Sequence, residues 1–167
     1  MRWTSVMLAT MLAAGMPMMA SAEDAAQPRQ AVDPAGVAFE VAASGHIIVP
    51  ARINGHPVHL VIDTGAGATV IDRNAAEALD MRPSTEDGGS AIGAGGKNLA
   101  IQRSSGNTLQ LAGTENDDLD LRIMDLAHVV EALSTPERAI AGVIGFDWLD
   151  RHGVVIDYAA RTLRVMR

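Results

Sequence analysis

Cysteine is absent from this chain, and lysine nearly so, with Lys97 standing alone. Without thiols there can be no disulfide framework, no thiol nucleophile, no thiolate metal site and no lipid attached at an N-terminal Cys. The fold must therefore be stabilised by its core or by association. Basic charge is scarce throughout: 13 Lys and Arg stand against 20 Asp and Glu, a net charge of −7. Nucleic-acid binding calls for clustered Lys and Arg and has no support here. Long apolar runs are also missing beyond the first 22 residues, so no later segment can span a bilayer.

Those first 22 residues differ from the rest. Arg2 gives a positive start, Val6 to Met19 is apolar, and Ala20-Ser21-Ala22 has the small-x-small pattern of a cleavage site. The apolar run is short for a membrane span and contains Pro17. Residues 1–22 are therefore expected to be a signal peptide, directing the protein to the periplasm or outside the cell, with no stable membrane insertion after cleavage. Residues 23–36 are polar, Ala-rich and Pro-punctuated, as in a flexible leader. Residues 37–167 are left as one domain.

Within the domain, short apolar segments alternate with turns, which predicts a mostly β fold. Ile47 to Ile53 reads as a strand, with Pro50 suggesting an edge or a bulge. Asn54-Gly55 is a strong hairpin turn, and Pro57 to Ile62 returns from it. Further strands are expected at 37–41, 70–71, 99–102, 108–111, 119–124, 140–144, 154–156 and 162–165. Short helices are expected after Asp72, at 128–133 and at 146–152. The run Glu115-Asn116-Asp117-Asp118 with Asp120 lacks the glycine and terminal Glu of a calcium loop and reads as a solvated turn.

The strongest signal is Val61-Ile62-Asp63-Thr64-Gly65-Ala66-Gly67-Ala68-Thr69-Val70-Ile71. One apolar run delivers an acid into a tight turn, and a second leaves it. A similar passage surrounds Gly145. Alone, Asp63 could be an ordinary turn former.

Together, Ile62-Asp63-Thr64-Gly65-Ala66, the later Ala141-Gly142-Val143-Ile144-Gly145, and Gly145-Phe146-Asp147-Trp148-Leu149 followed by Val155-Ile156-Asp157-Tyr158 resemble the retropepsin-like aspartic proteases, in particular their single-lobed, exported bacterial type. The resemblance implies a closed β-barrel lobe with one or two short helices. It implies an endopeptidase in which the Asp63 carboxylates of two identical chains share a proton and activate water. Thr64, Gly65 and Ala66 would support the catalytic loop, and Val143, Ile144 and Gly145 would form the apolar-Gly element beside it. Ile92, Gly93, Ala94, Gly95 and Gly96 would belong to a substrate-covering flap. Ala66 stands where some relatives carry Ser, whose hydroxyl can donate to the Asp. The partners implied are a second copy and a peptide or protein substrate, with no cofactor.

Other readings carry less. Gly96-Lys97 is followed by Asn98, where a phosphate-binding loop needs Ser or Thr. His46, His56, His59, His128 and His152 are dispersed without metal-ligand spacing, so no metal is expected. Phe146 and Trp148 read as core or interface residues. A catalytically weak or inactive module that binds peptides or dimerises is the alternative to the protease.

Overall fold

A computed structural model describes residues 36–84, 89–92 and 98–166. The expected signal peptide and most of the leader lie outside these residues, as do Gly93, Ala94, Gly95 and Gly96 of the expected flap.

Among the described residues, twelve strands and three short α-helices follow one another. They are β1 (Val37–Ala38), β2 (Glu40–Val41), β3 (Ile47–Ile53), β4 (His56–Ile62), β5 (Val70–Asp72), α1 (Arg73–Ala76, continued by a 3-10 turn at Glu77–Leu79), β6 (Ser90–Ile92) and β7 (Asn98–Ala100). There follow β8 (Gln102–Leu111), β9 (Thr114–Met124), α2 (Ala127–Leu133), β10 (Ile140–Ile144), α3 (Phe146–Arg151), β11 (Val154–Asp157) and β12 (Thr162–Val165).

Six strands close into a barrel in the order β3-β4-β10-β5-β9-β8, with β8 returning to pair with β3. Closure removes the exposed edges of the main sheet. Alternation along the strands divides the apolar residues between two cores. Val49, Ile53, Leu60, Ile71, Leu109, Ile123 and Ile144 fill the barrel. Ile48, Val61, Val70, Ile140 and Val143 face outward and are covered by Leu126 and by Leu133 of α2. Strand β10 is buried along its whole length because it lies between β4 and β5 and contributes to both cores.

Pro50 does not mark an edge strand. β3 is paired with β4 along its length, and on its other side with β2 at Ile47 and Ile48 and with β8 at Arg52 and Ile53. The residue without an N–H sits between those two partners, where the second ladder is interrupted. The acidic run is not a turn either. It lies in β9, and the reversal is made by Ala112 and Gly113, both with positive φ (52° and 76°). The expected strands at 99–102 and 108–111 fall instead into β7 and a long, irregular β8, whose register shifts around Asn107.

Asn54 and Gly55 have the positive φ values (49° and 82°) of the expected hairpin turn. The side chain of Asn54 also donates to the Leu79 carbonyl at 2.8 Å and accepts from the Thr108 N–H at 2.8 Å. The turn is thereby tied to the helical segment and to β8.

Asp72 caps α1, as its position predicts, but it does more. One carboxylate oxygen accepts from the Asn74 N–H at 3.1 Å, and the other from the Leu126 N–H at 2.9 Å. The side chain is almost fully buried and joins β5 to the segment that leads into α2. Asp72→Ala removes the cap and strands a buried amide, so a loss of about 2 kcal/mol is expected in urea titrations.

A second sheet, β1-β12-β11, is built within the chain. Between β1 and β2, buried Phe39 donates its N–H to the Arg161 carbonyl at 3.0 Å and meets the Tyr158 ring edge-on. Strands β6 and β7 form a separate hairpin ladder, with Ile92 opposite Asn98. Among the described residues, no helix is long and apolar enough to cross a membrane.

Candidate active site

Strands β4 and β10 lie side by side and parallel, and they end together at Ile62 and Ile144. The two similar sequence passages are therefore neighbours in space. The ladder extends one residue further, with the Asp63 N–H donating to the Ile144 carbonyl at 3.0 Å. Beyond that point β4 gives way to the loop 63–69, and β10 gives way to Gly145 and α3.

Within the loop, the Gly65 N–H donates to Asp63 Oδ1 at 2.9 Å, and the Ala66 N–H donates to the Asp63 carbonyl at 3.2 Å. A Cβ at residue 65 would sit 3.3 Å from the same carboxylate oxygen, so glycine leaves the carboxylate its room. Asp63, Thr64 and Gly65 are exposed in the single chain.

Ala66 contributes its backbone, accepting from the Phe146 N–H at 2.8 Å. Gly145 lies so close to the loop that an added Cβ would fall 2.4 Å from the Ala68 carbonyl. Its N–H donates to Thr69 Oγ1 at 3.2 Å. Val143 and Ile144 are buried on opposite sides of β10 and hold the element in both cores. The structure thus brings Asp63, Thr64, Gly65 and Ala66 together with Val143, Ile144 and Gly145.

A cavity of about 270 Å³ adjoins the loop, with a floor of Ile47, Ile62 and Ile156 and polar groups from Ser44, His46, Thr64 and Tyr158. Asp63 is the one carboxylate in its lining among the described residues. Sequence reasoning gave neither His46 nor Tyr158 a place in this lining: His46 carries no motif, and Tyr158 stood only as the last residue of the C-terminal pattern. Size does not mark this site, because a larger cavity of about 440 Å³ lies at the far end of the β3–β4 hairpin, around Arg52 and Glu115. The Asp-Thr-Gly turn lies at the smaller of the two.

Of the aromatic pair, Trp148 is in the barrel core and donates from Nε1 to Asn116 at 3.0 Å. Phe146 is 54% exposed, which removes it from the core reading. Ile92 lies at the end of β6, so the described part of the expected flap is a two-stranded hairpin. Arg73 Nη2 reaches the Ala100 carbonyl at 3.4 Å and ties that hairpin to α1. The histidines do not converge. His56 contacts Asp80, His46 contacts Ser44, and His152 stacks on Trp148. Among the described residues, no three potential ligands gather around a metal position.

A six-strand barrel that presents an Asp-Thr-Gly turn at the paired ends of two parallel strands defines the retropepsin-like class of aspartic protease fold. A family model described as aspartyl protease matches residues 49–148, and the chain belongs to that family. EIAV protease complexed with the inhibitor HBY-793 superposes with a TM-score of 0.50 at 21% identity, over 66% of this chain and 91% of that one. The retroviral protease-like domain of Ddi1 from Leishmania major gives 0.50 at 21% identity, over 72% and 87%. A retropepsin-like aspartic protease from Rickettsia conorii gives 0.49 at 16% identity, over 83% and 95%. No curated protein matches the chain.

Proposed function

We propose that this chain is an aspartic endopeptidase that works as a homodimer, each subunit contributing Asp63 to one shared centre. The observation that carries the reading is the single carboxylate of the exposed loop, fixed by the Gly65 N–H and open to solvent. Hydrolysis of an amide needs a base to activate water and an acid to polarise the carbonyl. Two carboxylates sharing one proton supply both. One such loop per chain makes the second carboxylate a matter of assembly.

The surface around the loop supports pairing. Strand β11 ends its sheet, with no partner on its outer side among the described residues. Tyr158, 64% exposed, lines the cavity beside Asp63, and exposed Phe146 is hydrogen-bonded to Ala66. Apolar groups and a free strand edge beside an incomplete catalytic centre suit a two-fold interface. In this reading Thr64 bonds across the dimer and the β6–β7 hairpin covers bound peptide. The protein is exported and acts outside the cytoplasm.

The alternative, a binding module without turnover, draws on the Ala66 position. The backbone bonds of Ala66 hold the loop without a hydroxyl, so its place does not depend on Ser at this position. The deciding experiment measures cleavage of a denatured protein substrate by the mature chain across acidic to neutral pH, with sedimentation of the same samples. Specific activity is expected to fall on dilution in step with loss of the dimer. A monomer that cleaves at full rate would overturn the shared centre, and inhibitor binding without cleavage would establish the module.

A further inference from the structure

The loop that carries Asp63 is anchored at both ends on one short stretch, residues 144–147. Its first residue bonds to the Ile144 carbonyl. Its last residue, Thr69, bonds to Asp147, to which the sequence assigns no role. One oxygen, Asp147 Oδ1, accepts from the Thr69 N–H, the Thr69 hydroxyl and the Trp148 N–H, each at 2.8 Å. The Thr69 hydroxyl in turn accepts from the Gly145 N–H at 3.2 Å. The other carboxylate oxygen faces Arg122 Nη1 at 3.4 Å, and Arg122 stands opposite Val70 in the β5–β9 ladder. Asp147 thus links the end of the loop, the start of α3 and strand β9.

We propose that Asp147 is a positioning residue for peptide hydrolysis, holding the Asp63 loop in its reactive place through Thr69, with Arg122 fixing the carboxylate from behind. This rests on the reading of Asp63 as the reacting acid. The argument is geometric. Asp63 is exposed, and in the described residues its carboxylate is held by a single N–H, so its place depends on how firmly the loop ends are held. Thr69 is nearly buried, and its N–H and hydroxyl both end on Asp147. Two carboxylates sharing a proton must meet at hydrogen-bond distance, so a small displacement of either loop spoils the pair.

A purely stabilising role predicts something else. The Arg122–Asp147 ion pair is more than a third exposed on both sides, and pairs of that kind add little to folding. The bonds to Thr69 are local to the loop. Loss of Asp147 should therefore loosen the loop before it unfolds the barrel.

The test compares Asp147→Ala, Asp147→Asn and Thr69→Val with the wild-type chain, by hydrogen exchange and by steady-state kinetics on a fluorogenic peptide. In Asp147→Ala the amides of Thr69 and Gly145 are expected to exchange faster while those of β3 and β4 keep their protection. Turnover is expected to fall about 100-fold with KM little changed. Asn retains a carbonyl oxygen for Thr69, so it should restore loop protection and most of kcat. Thr69→Val should resemble the Ala variant more weakly. Unchanged loop exchange and unchanged kcat in Asp147→Ala would overturn the proposal. So would a uniform rise in exchange across the barrel, which marks global destabilisation. If the wild-type chain itself shows no turnover, the protease reading fails separately, and the exchange pattern still decides whether Asp147 holds the loop.

Discussion

Replacing Asp63 by Asn is expected to leave the chain folded and to remove peptide hydrolysis. The side chain is exposed, and an amide oxygen can still accept from the Gly65 N–H, so the melting temperature should barely move. Under the proposed mechanism, what is lost is the group that takes and gives the proton. A fall of about a thousand-fold in kcat, to the limit of detection, is the expected scale. Mixing variant and wild-type subunits sharpens the test. If each centre needs one carboxylate from each chain, mixed dimers are dead, and an equal mixture retains about a quarter of the wild-type activity once subunits have exchanged. A linear loss, to about half, would mean that each chain works alone. Undiminished cleavage by Asp63→Asn would remove this residue from the chemistry altogether.

The second large effect is expected at Gly145. Its φ of −95° and ψ of 179° suit any residue, so backbone conformation does not demand glycine. Contact does. A Cβ would lie 2.4 Å from both the carbon and the oxygen of the Ala68 carbonyl, and 2.8 Å from the Ala66 oxygen. These are backbone atoms of the loop and cannot rotate away. Gly145→Ala must push the start of α3 from the loop, breaking the Phe146–Ala66 bond and the bond from Gly145 to Thr69. A loss of about 3 kcal/mol is expected from overpacking, measured by urea denaturation. Activity should fall at least about 100-fold even in the fraction that remains folded, because the loop is displaced. Gly67→Ala is the matched control for stability. A Cβ there meets nothing within 4 Å, and its effect on folding should stay within about 0.5 kcal/mol.

The site was legible where local chemistry repeats in the sequence. Apolar runs ending at Asp63 and at Gly145 gave two strand ends, and the structure sets those ends side by side. Asp72 and Asn54-Gly55 announced a cap and a turn because each acts on its near neighbours. Features that depend on distant partners were not legible. Pro50 is harmless inside the barrel because β3 changes partners around it, and nothing near Pro50 encodes that change. Ala112 adopts a positive φ that alanine rarely takes, so the turn into β9 was hidden and the acidic residues after it resembled a loop. Asn107 interrupts the apolar alternation of β8, yet it is buried, with its amide donating to the Ser104 carbonyl at 2.7 Å and the Leu119 carbonyl at 3.2 Å. Asp147 lies 78 residues from Thr69. Only the folded chain reveals that one carboxylate serves the loop end.

The small β1-β12-β11 sheet has a further consequence. Each chain supplies β1, β11 and β12 to itself, so these three strands pair without a second chain. Under the two-carboxylate reading, folding and activation then become separate events. A freshly made subunit would be sound but dormant, safe among the cell's own polypeptides while dilute. Meeting a second copy would arm it.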